Sequence, residues 1–272
     1  MTDAVLRKFV VAGLLAGLTG LNACTYWHGD LERIVDESER DFSRNVPGPF
    51  VHVDLKKVIA NPNAYKYSWI RFDAILNRTN EKVFVPFLTT FDPENHISFA
   101  VWPGDAKLWT AEDRAHDFPL LFLRRDNVSV PDLLGAGRFS LVRISAMVMS
   151  EYQLKPWISV NRIEVIEPSV YTEDALTDLA LAKEAVDAKK PAVAIRNYES
   201  ALAGIWTTSL RLEIHLTLGR LYEGRGDVDS ALNHYRGALT NDPENAEALQ
   251  GVERCKKALE AKEAVPAPAT QQ

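Results

Sequence analysis

Cys24 is the residue whose type and position in this chain most clearly indicate a chemical modification. An apolar run over residues 9–21, rich in Gly and Ala, follows two basic residues, and the small residue Ala23 stands directly before the cysteine. A basic start, an apolar stretch of about 7–15 residues and a small residue before the cleavage point are the parts of a secretory signal. The run is shorter than the roughly 20 apolar residues that cross a bilayer. The sequence therefore predicts export, with residues 1–23 as a signal peptide.

The residues that end this segment resemble a bacterial lipoprotein signal. Leu21, Ala23 and Cys24 match its Leu-x-Ala-Cys motif, and Asn22 is a less usual occupant of the second position. The resemblance implies that Cys24 becomes the acylated first residue of the mature protein, and two or more acyl chains hold a protein durably on a membrane. Thr25 then implies the outer membrane of a Gram-negative source, because Asp in that position favours inner-membrane retention. The alternative is an ordinary secretory signal that leaves Cys24 as an incidental thiol.

The other reactive side chains form no recognised catalytic or metal-binding pattern. The six histidines include no His-Glu-x-x-His pair, and neither a Gly-x-Ser-x-Gly elbow nor a phosphate-binding loop occurs. Residues 113–117 place carboxylates near an imidazole, but a solvated charged face is the commoner reason for such a cluster. Cys255 stands beside Lys256, which would lower its pKa, although a buried position in a helix is the favoured interpretation. We therefore expect no enzyme activity, no cofactor and no bound metal.

The apolar pattern between residue 50 and about 168 has the period of two that is typical of β-strands. Aromatic and β-branched residues separated by turn clusters predict six strands, at 69–76, 83–88, 97–102, 118–123, 141–149 and 157–166. Helices are predicted over 53–60, where Asn61-Pro62 ends the helix, and over 105–117.

This order of five or six short strands with one helix is that of an OB-fold barrel. The segments 53–72 and 156–163 also resemble the opening and ending of periplasmic OB-type domains, which implies an OB-like β-barrel domain over residues 50–168. Such barrels bind nucleic acid through basic, aromatic grooves. However, Lys plus Arg and Asp plus Glu each number 14 in this domain, and the whole chain carries −6, so no nucleic-acid partner is expected. A helix over 30–42 and a linker make up residues 24–49.

The last third of the chain repeats with an offset of 37 residues. Four residues recur in order, so that Ala194, Tyr198, Ala201 and Leu202 correspond to Ala231, Tyr235, Ala238 and Leu239. With Gly219, Tyr222, Gly226 and Pro243, the second unit resembles a tetratricopeptide repeat, whose usual period is 34. We expect two units and a capping helix within residues 169–263, followed by a disordered tail over 264–272. Two units and a cap are fewer than the three repeats usually needed, so docking on the β domain or on a partner should supply burial.

The first helices of such repeats line a concave binding surface. By resemblance to the groove positions of the family, the second unit would present Glu213, Leu216, Arg220 and Glu223, and the first would present Leu176, Leu179, Lys183 and Val186. The alternative is that these side chains pack on the β domain instead.

The sequence thus predicts an α+β chain of several domains, in which a small OB-like β-barrel precedes an all-α array of tetratricopeptide repeats. The favoured function is that of a membrane-anchored envelope lipoprotein. Its lipid at Cys24 would hold it on the membrane, and its repeats would bind a protein or peptide partner. The alternative is an envelope enzyme, or a protein that binds a peptide or glycan on the β-barrel.

Overall fold

The computed structural model describes residues 49–79 and 91–263, in which a β-barrel is followed by an array of helices. Five predictions lie outside the described residues: the signal peptide at 1–23, the modified Cys24, the helix at 30–42, the strand at 83–88 and the tail at 264–272. Among the helices that the structure describes, none combines the length and the apolar composition needed to cross a membrane.

Ten elements make up the first part of the described chain. In order they are β1 (Val51–His52), α1 (Leu55–Ala60), a 3-10 turn (Pro62–Tyr65), β2 (Trp69–Thr79), β3 (His96–Pro103), α2 (Ala111–Ala115), β4 (Phe118–Arg124), α3 (Val130–Gly135), β5 (Leu141–Tyr152) and β6 (Lys155–Glu167). The antiparallel pairs are β2 with β3, β3 with β4, β5 with β6 and β2 with β5, while β4 pairs with β6 in parallel. Strands β2 to β6 therefore form a closed five-stranded barrel.

Alternation along β2 determines which side chains fill the barrel. Ile70, Phe72, Ala74 and Leu76 are buried, as their spacing in the sequence predicts, and they belong to one apolar cluster with the other strands. Ile75 points away from this cluster and is nevertheless fully buried. Its burial belongs to a second cluster, shared with the helices that follow.

Two helices of the barrel region differ from the sequence prediction. The helix predicted over 105–117 is only Ala111–Ala115, because Thr110 adopts an extended backbone and its hydroxyl accepts the backbone N–H of Asp113 as an N-cap. Helix α3 (Val130–Gly135) was not predicted, since six residues that include Pro131 give too short a pattern.

Five longer helices follow the barrel. They are α4 (Glu173–Asp187), α5 (Pro191–Leu202), α6 (Thr208–Gly224), α7 (Val228–Asn241) and α8 (Ala246–Glu263). Pro191 occupies the first turn of α5, where its missing N–H leaves no donor unpaired. Gly226 has a φ of +77°, which suits the turn between α6 and α7, and Asp227 caps α7 by accepting the backbone N–H of Ser230.

The start of α8 corrects one sequence prediction. The sequence Asp242-Pro243-Glu244 predicts a helix start with Asp242 as the cap and Pro243 in the first turn, but α8 begins at Ala246. The Asn245 side chain accepts the backbone N–H of Ala248, while Asp242 accepts the backbone N–H of Glu244. Asp242 therefore forms a local turn that separates α7 from α8, and Asn245 is the cap.

The helices pack directly on the barrel. Trp102 and Phe139 of the barrel region share an apolar cluster with Leu176 and Leu179 of α4. Backbone bonds continue the junction, since Val170, just before α4, donates to the carbonyl of Phe139 at 2.9 Å. The barrel therefore supplies burial to the first unit, one of the two possibilities that the small number of repeats raised.

Candidate functional site

The helices of the second unit approach closely around one aromatic side chain. Tyr235 of α7 is fully buried between Gly219 of α6 and Gly251 of α8. A Cβ atom added at Gly219 would lie 2.7 Å from the Tyr235 ring, and one at Gly251 would lie 2.6 Å from it. Both distances are shorter than van der Waals contact, so glycine at these two positions allows the three helices to pack.

The hydroxyl of this tyrosine belongs to a polar network between α6 and α8. Tyr235 donates to Glu223 at 2.8 Å, and Arg254 donates two bonds to the same carboxylate at 2.8 and 3.0 Å. The Arg254 guanidinium holds the pKa of Glu223 below its usual value, and burial with the nearby Glu223 raises the pKa of Tyr235 to about 12. Glu223 is therefore an ionised acceptor that fixes α8 against α6.

Three ion pairs connect the first helices of successive units, and we call them the ion-pair row. They are Lys183–Glu213 at 2.7 Å, Arg220–Glu247 at 3.3 Å and Glu223–Arg254 at 2.8 Å. Four of the six residues were predicted groove positions, and these four lie on α4 and α6, whereas Glu247 and Arg254 lie on α8. Ion pairs as exposed as the first two contribute only about 0–1 kcal/mol each, so a charged partner can exchange them at low cost.

The apolar groove positions lie in different surroundings. Leu176 and Leu179 are fully buried in the cluster shared with the barrel. These two side chains therefore pack toward the β domain, as the alternative prediction stated, and do not line an open groove. Leu216 is partly buried against the cluster of α7 and α8, and Val186 is exposed at the end of α4. The accessible part of the predicted surface is therefore mainly polar.

A histidine pair between α6 and α7 was not singled out from the sequence. The Nδ1 atoms of His215 and His234 lie 3.2 Å apart, and Tyr222 stacks on His234 with ring centroids 5.4 Å apart. Burial and the neighbouring His234 lower the pKa of His215 to about 4, and burial also lowers the pKa of His234. Both rings are therefore neutral at pH 7, which allows one Nδ1–H to donate to the other nitrogen.

A cavity of about 650 Å³ opens on the barrel between α1, the β3–β4 connection and the hairpin of β5 and β6. Its lining includes Asp113, His116 and Asp117. The sequence pattern favoured a solvated charged face for these three residues. Trp157 lies in its wall and is only 2 % exposed. Three segments distant in sequence form this cavity, so no local pattern indicates it.

The described residues show how the candidate metal ligands are arranged and where the thiol of Cys255 lies. Within residues 49–79 and 91–263 no three His, Cys, Asp or Glu side chains are grouped so that they could hold a metal ion. Cys255 is 1 % exposed, and burial raises the pKa of its thiol. The helix position predicted for Cys255 is correct, whereas a pKa lowered by the adjacent lysines is wrong.

Comparison with known protein families gives one match. Residues 212–252 match the family described as Tetratricopeptide repeat. No curated protein matches the chain. The matched range contains most of α6, all of α7 and the first part of α8, and it includes Tyr235 with both of its glycine contacts. The second repeat unit is thus similar in sequence to a tetratricopeptide repeat, which supports a protein-interaction module with protein partners.

Proposed function

We propose that this chain is a non-catalytic envelope lipoprotein whose helical repeats hold a protein or peptide partner close to a membrane. The observation that carries the proposal is the tetratricopeptide repeat at residues 212–252, because such arrays bind partners on the surface formed by their first helices. In this chain that surface is the ion-pair row on α4, α6 and α8. Its charges are balanced, so partner recognition depends on the position of opposite charges rather than on net charge.

Arg220 is the best position at which to test the surface. Its side chain is 56 % exposed, and it pairs with Glu247 across two helices. Arg220→Glu reverses one charge of the row without removing a buried group. Arg236→Glu makes the same charge change on an exposed position of α7, outside the row, and is the matched control.

The experiment is a crosslinked pull-down from membranes of cells that produce the full chain. We expect one specific partner to be lost with Arg220→Glu and retained with Arg236→Glu, while circular dichroism shows the same helix content for both. The double variant Arg220→Glu, Glu247→Arg restores the internal pair with the charges exchanged. Continued loss of the partner in that variant would locate recognition at these charges. An unchanged set of partners in all variants would refute the proposed surface.

The membrane anchor is the second part of the proposal. Leu21, Ala23 and Cys24 support it through their resemblance to a lipoprotein signal, and Thr25 supports the outer membrane as the location. We expect Cys24→Ala to abolish incorporation of a labelled fatty acid and to release the protein from the membrane fraction. A protein that remains acylated and membrane-bound after this substitution would refute the anchor without affecting the partner surface.

A further inference from the structure

The cavity on the barrel has the size and composition of a small-molecule site. Its volume of about 650 Å³ lies within the range of roughly 300–1,000 Å³ for such sites, which are mostly apolar with a few polar groups. Ile59, Pro103, Phe118, Leu120 and Trp157 contribute apolar walls. These side chains come from α1 and three barrel strands, so the walls belong to regular elements and not to one loop.

The acidic groups of the wall are already used as acceptors. Asp117 accepts a hydrogen bond from Asn77 at 2.7 Å and another from Arg78 at 2.9 Å. Asp113 accepts the backbone N–H of Lys107 at 2.6 Å. These carboxylates therefore hold the protein together and offer little to a cationic ligand.

Two donors of the wall have no acceptor among the described residues. The indole N–H of Trp157 is buried and makes no hydrogen bond. Lys155 is exposed at the cavity and takes part in no ion pair within the described residues, whereas Lys56, the other lysine of the wall, pairs with Asp105 at 2.8 Å. Lys155 and Trp157 are two positions apart on β6, which places them on the same face of the strand. A buried donor without an acceptor is costly, so a ligand oxygen next to it is favourable.

Besides Gln153, His116 is the remaining polar residue of the cavity wall. Its Nδ1 donates to the carbonyl of Glu112 at 2.6 Å, and this bond orients the ring. With Nδ1 used in this bond, Nε2 is the ring nitrogen that remains for a ligand. The cation of Lys155 and the unpaired indole N–H of Trp157 leave the site complementary to a ligand whose polar end is anionic.

We propose that this cavity binds a small organic acid, whose apolar body lies between Ile59, Phe118 and Leu120 and whose carboxylate lies at Lys155 and Trp157. The carboxylate accepts a charge-assisted bond from Lys155 and the indole N–H of Trp157. Ligand binding in the cavity does not involve the ion-pair row, so either proposal can be refuted without affecting the other.

The test is isothermal titration of the full chain in lipid nanodiscs, with empty nanodiscs as the blank. The probes are 3-phenylpropionate and straight-chain carboxylates of about four to ten carbons, each compared with the alcohol of the same length. We expect saturable binding of at least one acid, and binding of its alcohol that is about tenfold weaker or more.

Four variants connect the binding to the cavity. Lys155→Gln should weaken the acid about tenfold and leave the alcohol unchanged, and Lys257→Gln on an exposed position of α8 is the matched control. Trp157→Phe keeps an aromatic ring, removes the N–H and should also weaken the acid. Ala60→Trp fills the cavity from an exposed position and should abolish binding. Absence of saturable binding to every acid, or equal binding by wild type and Ala60→Trp, would overturn the proposal.

Discussion

The pH dependence of stability gives a direct test of the histidine pair. In the folded chain, burial and the neighbouring His234 lower the pKa of His215 from the usual 6.5 to about 4. The unfolded chain therefore binds more protons than the folded chain between these two values. Stability contributed by neutral His215 is complete above pH 6.5 and is lost as the pH falls toward 4.

The size of the effect follows from the two pKa values. A shift of about 2.5 pKa units corresponds to roughly 2.5 kcal/mol of stability lost between pH 7.5 and pH 4.5, at about 1.36 kcal/mol per unit. His215 is only half-buried, and solvent screening reduces the expected loss to about 1–2.5 kcal/mol.

The assay is urea unfolding of wild type and His215→Asn at a series of pH values between 7.5 and 4.5. Asn places an amide close to the position of Nδ1 and does not titrate in this range. We expect the free energy of unfolding of wild type to fall by about 1–2.5 kcal/mol more than that of the variant over this range. His52→Asn, which replaces an exposed histidine, should follow wild type. Parallel pH curves for wild type and His215→Asn would show that the pair does not contribute as its geometry indicates.

Two further predictions concern packing. Gly219→Val should destabilise the chain by about 1–3 kcal/mol or more in thermal unfolding, because a Cβ at this position meets the Tyr235 ring. Gly224→Ala is the control and should change the stability little, because no atom lies within 4 Å of the added Cβ. Leu176→Ala should cost about 2–5 kcal/mol because the side chain is fully buried at the junction with the barrel, and Leu181→Ala, at a position 46 % exposed, is its control. Equal effects in either pair of variants would contradict the packing described.

The strands and helices of this chain could be predicted where a residue pattern is local. Alternation along residues 69–76 identified β2 and the side chains that fill the barrel, because successive side chains of a strand point to opposite faces of the sheet. The recurrence of Ala231, Tyr235 and Ala238 identified the second unit, because close helix packing requires small residues at fixed spacing. The predicted start of α8 was wrong because Asp and Asn are both favourable N-cap residues. Which of Asp242 and Asn245 caps the helix depends on the conformation of the turn between α7 and α8, which the sequence does not show.

Features that join distant segments could not be predicted in the same way. His215 and His234 lie on different helices, and the cavity combines α1, α2 and the hairpin of β5 and β6. The sequence shows that Lys183 and Glu213 are charged, but their pairing depends on the angle between α4 and α6. Ile75 lies on the outward face of β2, and its burial becomes evident only when the cluster that it shares with the helices is considered.

The apolar junction between barrel and helices limits how the chain can be divided. Ile75, Trp102 and Phe139 on the outside of the barrel share an apolar cluster with the helices, so a barrel produced without the helices would expose a patch rich in aromatic carbon. The repeats are therefore not an exchangeable module joined by a flexible hinge. Because α4 packs on the barrel, a partner bound to the repeats would be held in one orientation relative to the barrel, and the two would move as a single body.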